Sequence, residues 1–374
     1  MSEFPSHWTK CLLGERVQFQ YGKSPNEVRS PEGKYPVYGS SGKTAQAIDC
    51  TTQSPSIIVG RKGTIDKPIF LEEKCWAIDT TFFVDSFPLD EPKYLFYLLD
   101  SINLKSLNES TGVPSLSRDA LHSIPVALPP LPEQKKIAEI LSGIDKDICI
   151  HQQKAEDLDI LLRELLRDHF QEKCEGSDLR LEKVTRTTIQ YGANASASKL
   201  RPGEPRYIRI TDIKEDGTLN ELNAVGIDLP LKDCGNYMLH EGDLLLARTG
   251  NTIGKSYLHS KPHEELVFAG YLLRVALDIN AYRPEYLFLF TQSDIYKNWI
   301  SETTRTGAQP NINAKEYGSM LIPSTSIEEQ DDFIAIAMSL RSAKCILNNK
   351  IDKLKLLKQA ISSDLLSGRK RVSV

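Results

Sequence analysis

The chain has 374 residues, 40% of them hydrophobic and 26% charged, and a formal net charge of −4. This composition is that of an ordinary folded protein of two or three domains, which excludes disordered and collagen-like chains. The apolar runs are shorter than the ~20 residues that cross a bilayer, and the N-terminus lacks the regions of a signal peptide. Seven single cysteines without a Cys-x-x-Cys pair argue against zinc knuckles and disulfides, so we expect a cytoplasmic protein.

The segment 1–130 has the pattern of a mixed α and β domain. Apolar, β-branched runs predict strands at Ser56–Gly60 and Trp76–Val84, and a short helix at Tyr94–Asp100 follows Pro92. Loops rich in Gly, Ser, Thr and Asn separate these elements, at Tyr38–Lys43 and Thr111–Ser117.

The segment 131–175 predicts one long helix with a coiled-coil seam. Apolar residues recur in alternating steps of four and three, with His151 and Ala155 filling the middle of the series: Ile137, Leu141, Ile144, Ile148, Leu158, Leu162 and Leu165. Such a helix would be about 60 Å long at ~1.5 Å per residue, which is too long to be buried in one domain. Pro132 suits the first turn, where its missing N–H costs nothing.

The segment 176–325 predicts a second mixed domain. Strands are expected at Asp243–Ala247 and Tyr271–Val275, and a short helix at Tyr286–Thr291 follows Pro284. The polar loops of this segment lie at Arg248–Lys255 and Thr306–Ala314.

The segment 326–374 predicts a second long helix in the same heptad register as the first. Its seam consists of Phe333, Leu340, Leu347, Ile351, Leu354 and Ile361, with Ala337, Lys344 and Lys358 at the intervening positions. A capping box that starts at Ser326 marks the beginning of the helix, and Gly368 suits a left-handed cap at its end.

The second half of the chain repeats the first, with the short motifs in the same order. Gln20-Tyr21-Gly22 recurs as Gln190-Tyr191-Gly192, Pro92–Phe96 as Pro284–Phe288, Gly60–Ile65 loosely as Ala247–Ile253, Thr111–Pro114 as Thr306–Pro310, and Glu133-Gln134 as Glu329-Gln330. A period this long indicates a duplicated unit rather than a solenoid.

We therefore predict a mixed α/β (α+β) fold with two globular domains, each followed by a long helix. The two helices are expected to form an antiparallel coiled coil, because a heptad of this length needs a helical partner and the other half supplies one. The halves would then be related by a pseudo-twofold axis. The alternative is that each helix packs only against its own domain.

The chain resembles the specificity subunit of type I restriction–modification enzymes. The resemblance is carried by Leu128–Ala138, where Pro-Pro-Leu-Pro-Glu-Gln leads into the first helix, and by Leu365–Gly368 at the end of the second. His7-Trp8 with Leu13-Gly14-Glu15, and Gly60–Ile65, are similar to segments of the family's first domain. The second copy, Pro323–Gln330, keeps Glu-Gln but lacks Pro-Pro.

The resemblance implies a non-catalytic, DNA-binding subunit of a phage-defence system. Two target-recognition domains, 1–130 and 176–325, would read the halves of a bipartite, asymmetric site, and the spacer helices, 131–175 and 326–374, would set the gap. Two methyltransferase subunits would dock on the helices, and motor–nuclease subunits would join them. S-adenosylmethionine, ATP and magnesium would act in those partners, with no cofactor or metal in this chain. A coiled-coil scaffold without DNA readout and a self-contained restriction or modification enzyme stay open as alternatives.

Two weaker motifs bear on the enzyme alternative. Gly250–Ser256 nearly spells a phosphate-binding loop but has three residues between its glycines where four are needed, and Gly39–Thr44 has two. Asp66 with Glu72-Glu73-Lys74 faintly resembles a nuclease metal site, although a solvated turn explains it better.

Candidate DNA contacts follow from side-chain chemistry in the polar loops. Arginine can pair with guanine and Asn or Gln with adenine, whereas Lys and Thr more often contact phosphates. The candidates are Lys43, Arg61, Lys62 and Thr64 in the first domain, and Arg206, Arg209, Arg248, Asn251, Lys255, Arg305 and Gln309 in the second.

Overall fold

The computed structural model describes residues 4–260, 265–304 and 310–373. The chain divides into two units, Met1–Gln153 with Asn348–Val374, and Lys154–Leu347. Among the described residues, no helix combines the length and the apolar character needed to cross a membrane.

The globular part of the first unit is a mixed α and β structure. Its strands are β1 (Thr9–Leu12), β2 (Gln20–Tyr21), β3 (Tyr35–Gly39), β4 (Gly42–Ala47), β5 (Ser56–Gly60), β6 (Ile69–Leu71), β7 (Trp76–Ala77), β8 (Thr81–Val84) and β9 (Pro125–Leu128), and its short helices are α1 (Pro92–Ser101) and α2 (Arg118–His122). The sheets have the orders β2-β8-β5-β6, β4-β3-β7 and β1-β9. The main core packs β5, β8 and α1 together, and β9 leads directly into the long helix α3 (Leu131–Cys174).

Two sequence predictions for this part are wrong in detail. The strand predicted at Trp76–Val84 is two strands, because a turn closed by the Thr81 amide on the Ile78 carbonyl (2.9 Å) moves the chain from one sheet to another. The loop predicted at Tyr38–Lys43 is mostly the ends of the β3–β4 hairpin. The first error arises because strand pairing is decided by distant partners. The second arises because the β3–β4 ladder continues to Gly39 and Gly42, on either side of a two-residue turn.

The second unit contains a sheet of the same order and pairing as the first. Its strands are β10 (Gln190–Tyr191), β11 (Ala197–Ser198), β12 (Arg206–Ile208), β13 (Val225–Ile227), β14 (Leu244–Ala247), β15 (Ser256–Leu258), β16 (Leu266–Phe268) and β17 (Leu272–Val275). Its short helices are α4 (Pro284–Thr291), α5 (Asp294–Thr304) and α6 (Ala314–Gly318). The antiparallel sheet β10-β17-β14-β15 matches β2-β8-β5-β6, and β11-β13-β12-β16 forms a second sheet.

The second long helix, α7 (Ile327–Leu366), runs antiparallel to α3 within each unit. In the first unit, Asp145 Oδ1 lies 2.7 Å from Lys358 Nζ, and the earlier Glu133 lies 2.6 Å from the later Arg371. In the second unit, Asp159 pairs with Lys344, and the later Lys173 pairs with the earlier Glu329. The predicted fold class, two mixed domains with long antiparallel helices, is confirmed.

The predicted seam residues face inward. Buried seam residues are Ile137, Leu141, Ile148 and Ile351 in the first unit and Leu162 and Phe333 in the second. The remaining seam residues are half-buried: Ile144, Leu354 and Ile361 in the first unit, and Leu158, Leu165, Leu340 and Leu347 in the second.

Near the end of α3 the buried face turns from Leu165 to Leu166 and Phe170, which join the core of the second unit. This rotation is expected, because a straight helix drifts relative to a 3.5-residue repeat. Here His169 stacks on Phe333, with ring centroids 3.6 Å apart, and burial lowers its pKa to about 4.

A buried glutamine ties the start of each long helix to its domain. In the first unit, Gln134 Oε1 accepts the Glu91 amide (2.9 Å), and its Nε2 donates to the Pro129 carbonyl (3.0 Å). In the second unit, Gln330 Oε1 accepts the Arg283 amide (2.8 Å), and its Nε2 donates to the Thr325 carbonyl (3.2 Å). Both glutamines are buried. The repeated Glu-Gln and Pro-x-Tyr-Leu-Phe motifs are therefore the two sides of one contact.

Replacing Gln330 with alanine should loosen the start of α4. The half-buried Arg283 amide would lose its acceptor, at a cost of about 1–3 kcal/mol, so its hydrogen exchange should accelerate roughly tenfold or more. Exchange mass spectrometry on the peptide that contains Arg283 measures this. Gln359→Ala, at an exposed position of α7, is the matched control. Unchanged protection in Gln330→Ala would show that the amide contact does not hold the helix start.

Candidate nucleic-acid interface

In the first unit, an exposed tyrosine carries two arginines on its ring. Tyr21 ends β2 and is 46% exposed, although it is a large aromatic side chain. The guanidinium of Arg61 lies 5.6 Å from its ring centroid, and that of Arg118 lies 5.3 Å from it. Cation–π contacts of this kind hold the arginines at the surface without neutralising their charge.

The second unit builds the same pair at the equivalent strand end. Tyr191 ends β10 and is 45% exposed, and the Arg248 guanidinium lies 5.0 Å from its ring centroid. The Tyr191 hydroxyl also accepts the backbone amide of Ala314, at 3.2 Å.

The glycine after each tyrosine explains why the ring points outward. A β carbon on Gly22 would lie 2.0 Å from the Ile78 carbonyl oxygen, and one on Gly192 would lie 2.2 Å from that of Ala269. No side chain fits at that distance. At each of these glycines the backbone therefore packs directly against a neighbouring backbone carbonyl. This close contact fixes the position of the tyrosine that precedes the glycine.

Backbone hydrogen bonds fix the arginines in the two units in the same way. The amide of Leu116 donates to the Arg61 carbonyl, and that of Ile312 donates to the Arg248 carbonyl, both at 2.9 Å. In the first unit the repeated segment Gly60–Ile65 is thus joined to the predicted polar loop Thr111–Ser117, and in the second unit the predicted loop Arg248–Lys255 is joined to Ile312.

The other predicted residues of the first unit surround Arg61. Lys62 and Lys43 are exposed, and Thr64 is half-buried. The turn of the β3–β4 hairpin, which contains Ser40, lies beside Gly63, because a β carbon added there would be 3.2 Å from Ser40 Oγ. The β3–β4 hairpin that carries Lys43 therefore lies beside the segment that carries Arg61, Lys62 and Thr64.

A cleft of about 520 Å³ opens beside the Tyr191–Arg248 pair. It lies between two sheets of the second unit, and its lining combines aromatic rings with guanidinium groups: Tyr191, Tyr207, Arg209, Arg248 and Tyr271. Stacking faces and cations are the groups that bind nucleic acid.

Three predicted residues of the second unit are held by the protein itself. Arg206 is only 6% exposed; its guanidinium binds Glu221 (2.5 Å) and the Asn220 carbonyl (2.6 Å), so its assignment as a DNA contact is replaced by a structural role. Arg209 makes a two-point contact with Asp212 at 2.8 and 2.9 Å. Lys255 pairs with Glu215 at 2.9 Å.

Of the remaining predictions for this unit, Asn251 is exposed in the turn before β15. Arg305 and Gln309 lie outside the described residues.

The two sequence motifs that resembled enzyme sites have other roles in the fold. Gly250–Ser256 lies between the antiparallel strands β14 and β15, without the helix that follows a phosphate-binding loop. Asp66 pairs with Lys105 (2.8 Å) and Glu72 with Lys93 (2.6 Å), and these contacts lower the pKa of both carboxyls. Within residues 4–260, 265–304 and 310–373, no group of three His, Cys, Asp or Glu side chains is arranged to hold a metal.

Sequence reasoning missed Tyr21, Tyr191 and Arg118 as members of the site. A signal was present, because Gln-Tyr-Gly is repeated in both halves, and an exposed tyrosine before a glycine is an unusual element to duplicate. What was missing was the strand pairing that brings each tyrosine beside an arginine far along the chain.

Comparison with known proteins agrees with this geometry. Residues 5–159 match the family model described as type I restriction modification DNA specificity domain. The chain is 22% identical to the type I restriction enzyme MjaVIII specificity subunit of Methanocaldococcus jannaschii, over 98% of this chain and 94% of that one. It is 23% identical to the EcoBI specificity subunit of Escherichia coli, over 83% of this chain and 73% of that one.

Solved structures show the same fold. The type I restriction–modification S subunit from M. genitalium superimposes with a TM-score of 0.69 at 16% identity, over 98% of this chain and 97% of that one. A second chain, from a study of complex assembly in the type I system, gives 0.56 at 15% identity, over 99% and 100%.

Residues 5–159 are thus similar to a type I DNA specificity domain. The predicted resemblance is confirmed: over nearly its whole length, the chain is similar to type I restriction–modification specificity subunits.

The corrected role of Arg206 can be tested directly. Arg206→Ala should lower the free energy of unfolding of the second unit by about 2–3 kcal/mol, because it removes a buried side chain and leaves the Asn220 carbonyl without that donor. Asn251→Ala, at an exposed position, should change it by less than about 0.5 kcal/mol. Denaturant unfolding of both variants measures the difference. An Arg206→Ala variant of normal stability that fails to bind DNA would restore the original assignment.

Proposed function

We propose that this chain is the specificity subunit that reads a bipartite, asymmetric DNA site for a type I restriction–modification complex, one half-site for each unit. The observation that carries the proposal is the exposed tyrosine–arginine pair, built at the same strand end of the same sheet in both units. A duplicated surface of this kind is expected of a protein that contacts the same type of ligand twice.

The two half-sites should be unlike, because the residues around the pair differ. The first unit adds Arg118, Lys62 and Thr64, whereas the second offers Asn251 and the aromatic cleft. A net charge of −4 would by itself argue mildly against a nucleic-acid binder, but the cationic side chains on these loops are local. A protein that is acidic overall can still present a local cationic surface.

We further propose that the paired helices form the surface on which two methyltransferase subunits assemble, with motor–nuclease subunits joining that core. Both helices expose large apolar side chains that a solvated helix would not need: Ile150, Leu356 and Leu357 in the first unit, and Ile160, Leu161, Ile336 and Ile346 in the second. Large apolar side chains left exposed on a helix are the kind of surface that a protein partner covers.

In this proposal the chemistry belongs to the partners. S-adenosylmethionine would act in the methyltransferase subunits, and ATP with magnesium in the motor–nuclease subunits. The chain would work in the cytoplasm, in keeping with its seven cysteines, all within the described ranges and all free thiols. We also propose that 1–130 and 176–325 are the recognition domains and that 131–175 and 326–374 are the spacers.

The proposal predicts the form of the DNA site. The full chain, assembled with its methyltransferase partner and S-adenosylmethionine, should modify two short, different half-sites separated by unread bases. Replacing residues 1–130 with another recognition domain should change one half-site and leave the other intact. Inserting four residues, about one helical turn, into both helices should alter the gap alone. Genome-wide mapping of modified positions reads all three results. A continuous or palindromic motif would contradict the two-reader proposal, and a complex that modifies no defined sequence would favour the scaffold alternative.

Adjacent leucines on α3 separate folding from assembly. Leu162 is 8% exposed and lies in the seam, whereas Leu161 is 50% exposed on the outer face. Leu162→Asp should destabilise the second unit by several kcal/mol, because it buries an unpaired charge. Leu161→Asp should keep wild-type stability and weaken methyltransferase assembly.

Thermal unfolding and analytical ultracentrifugation with the methyltransferase measure the two effects. Normal stability of Leu162→Asp would contradict the placement of Leu162 in the buried seam. Normal assembly of Leu161→Asp would show that the methyltransferase docks elsewhere.

A further inference from the structure

We infer that the reading surface of each unit has two parts with different roles in DNA binding. The pair common to both units, Tyr21 with Arg61 and Tyr191 with Arg248, holds the DNA backbone whatever its sequence. The adjacent position at which the units differ, Arg118 against Ala314, contributes to base selection. This inference rests on the proposed DNA-reading function and assigns roles within it.

The first step is that the two pairs are structurally equivalent. Tyr21 lies opposite Phe82 of β8, and Tyr191 lies opposite Leu273 of β17, the corresponding strand. Each tyrosine precedes a glycine that contacts a backbone carbonyl. Each arginine follows the corresponding strand, β5 or β14, in the polar loop.

The second step is that these arginines keep their charge available. The structure pairs most of its ordered arginines with carboxylates, as in Arg16 with Asp90 and Arg283 with Asp331. Within the described part of the chain, Arg61, Arg118 and Arg248 instead contact a tyrosine ring and form no ion pair with a carboxylate. A guanidinium that stacks on a ring keeps its charge for an outside anion.

The third step concerns what a shared contact can recognise. Phosphates recur identically along DNA and carry no sequence information, whereas base edges differ from step to step. If the two units read unlike half-sites, a pair that is the same in both is suited to the common ligand, the phosphate backbone. The stacked arginine with the tyrosine hydroxyl beside it supplies the hydrogen-bond donors that phosphate oxygens accept.

The fourth step locates the variable position. Arg118 and Ala314 are each the first residue of a short helix, after the caps Ser117 and Asn313. In the first unit the side chain at this position, Arg118, places a second guanidinium over the Tyr21 ring. In the second unit the backbone amide of Ala314 donates to the Tyr191 hydroxyl, and the side chain at this position is a methyl group. The same place in the fold therefore presents a long hydrogen-bond donor in one unit and none in the other.

The test compares arginine variants of the full chain in complex with its methyltransferase. Binding is measured on a duplex that contains the mapped site and on a random duplex, over a range of salt concentrations. Arg61→Gln and Arg248→Gln should each weaken binding to both duplexes by a similar factor, about tenfold, and reduce the salt-dependence slope by about 1. Arg61→Lys and Arg248→Lys keep the charge and should keep the slope.

Arg118→Ala should behave differently from the paired arginines. It should lower the ratio of specific to random binding and broaden the bases accepted in the half-site read by the first unit, with the other half-site unchanged. Circular dichroism and assembly with the methyltransferase confirm that each variant is folded.

The outcomes separate this inference from the function on which it rests. If the wild-type complex selects no bipartite site, the proposed function is wrong. If the wild-type complex selects such a site, but Arg61→Gln or Arg248→Gln changes which bases are modified while random binding and the salt slope stay the same, the shared pair reads bases and the inference is overturned. If Arg118→Ala weakens binding to both duplexes equally and the modified sequence stays the same, the role assigned to the variable position is overturned.

Discussion

In each unit a buried glutamine helps to fix the reading domain on the helix that follows it. Gln134 and Gln330 each bind the amide that starts a proline-led helix and a carbonyl just before their own helix. A buried amide side chain must satisfy both its donor and its acceptor, so its two partners cannot shift independently. The orientation of each domain on its own stretch of helix therefore depends on this contact, and so does the placement of the reading loops.

The choice of partner for each basic side chain explains how an acidic chain presents a cationic surface. Many basic side chains are paired with nearby carboxylates, as Arg209 is with Asp212 and Lys173 with Glu329. The arginines that sit on Tyr21 and Tyr191 are positioned by aromatic rings instead. A cation–π contact orders a guanidinium without cancelling its field, which lets a few residues define where DNA binds.

Duplication gives the two units a common frame and leaves their loops independent. The shared elements are those with backbone or buried partners: the glycines after the tyrosines, the buried glutamines, and the pairing of the arginine loops. The differing elements, such as the exposed Arg118 and the half-buried Ala314, are the first residues of short helices at the rim of each unit's sheet. Residues of the first kind are constrained by the fold, and residues of the second kind are available for changes in specificity.

The sequence by itself determined the duplication, the two long helices with their seams, the short helices after Pro92 and Pro284, and several core strands. These features follow from local periodicity, helix caps and repeated motifs, each of which is written within a few consecutive turns of chain. The resemblance to type I specificity subunits could be recognised from the same segments.

Only the tertiary structure decided which arginines are free to meet a ligand. Arg206 and Arg61 have the same side chain, and each is at the end of a strand. Arg206 begins β12 and is buried against Glu221, whereas Arg61 follows β5 and lies on the ring of the exposed Tyr21, 40 residues away in the sequence. Burial and pairing depend on which strands become neighbours, and that is settled by contacts between residues far apart in the chain. For this reason the sequence could propose the reading loops as groups, whereas the roles of Arg206, Tyr21, Tyr191 and Arg118 became visible only in the folded chain.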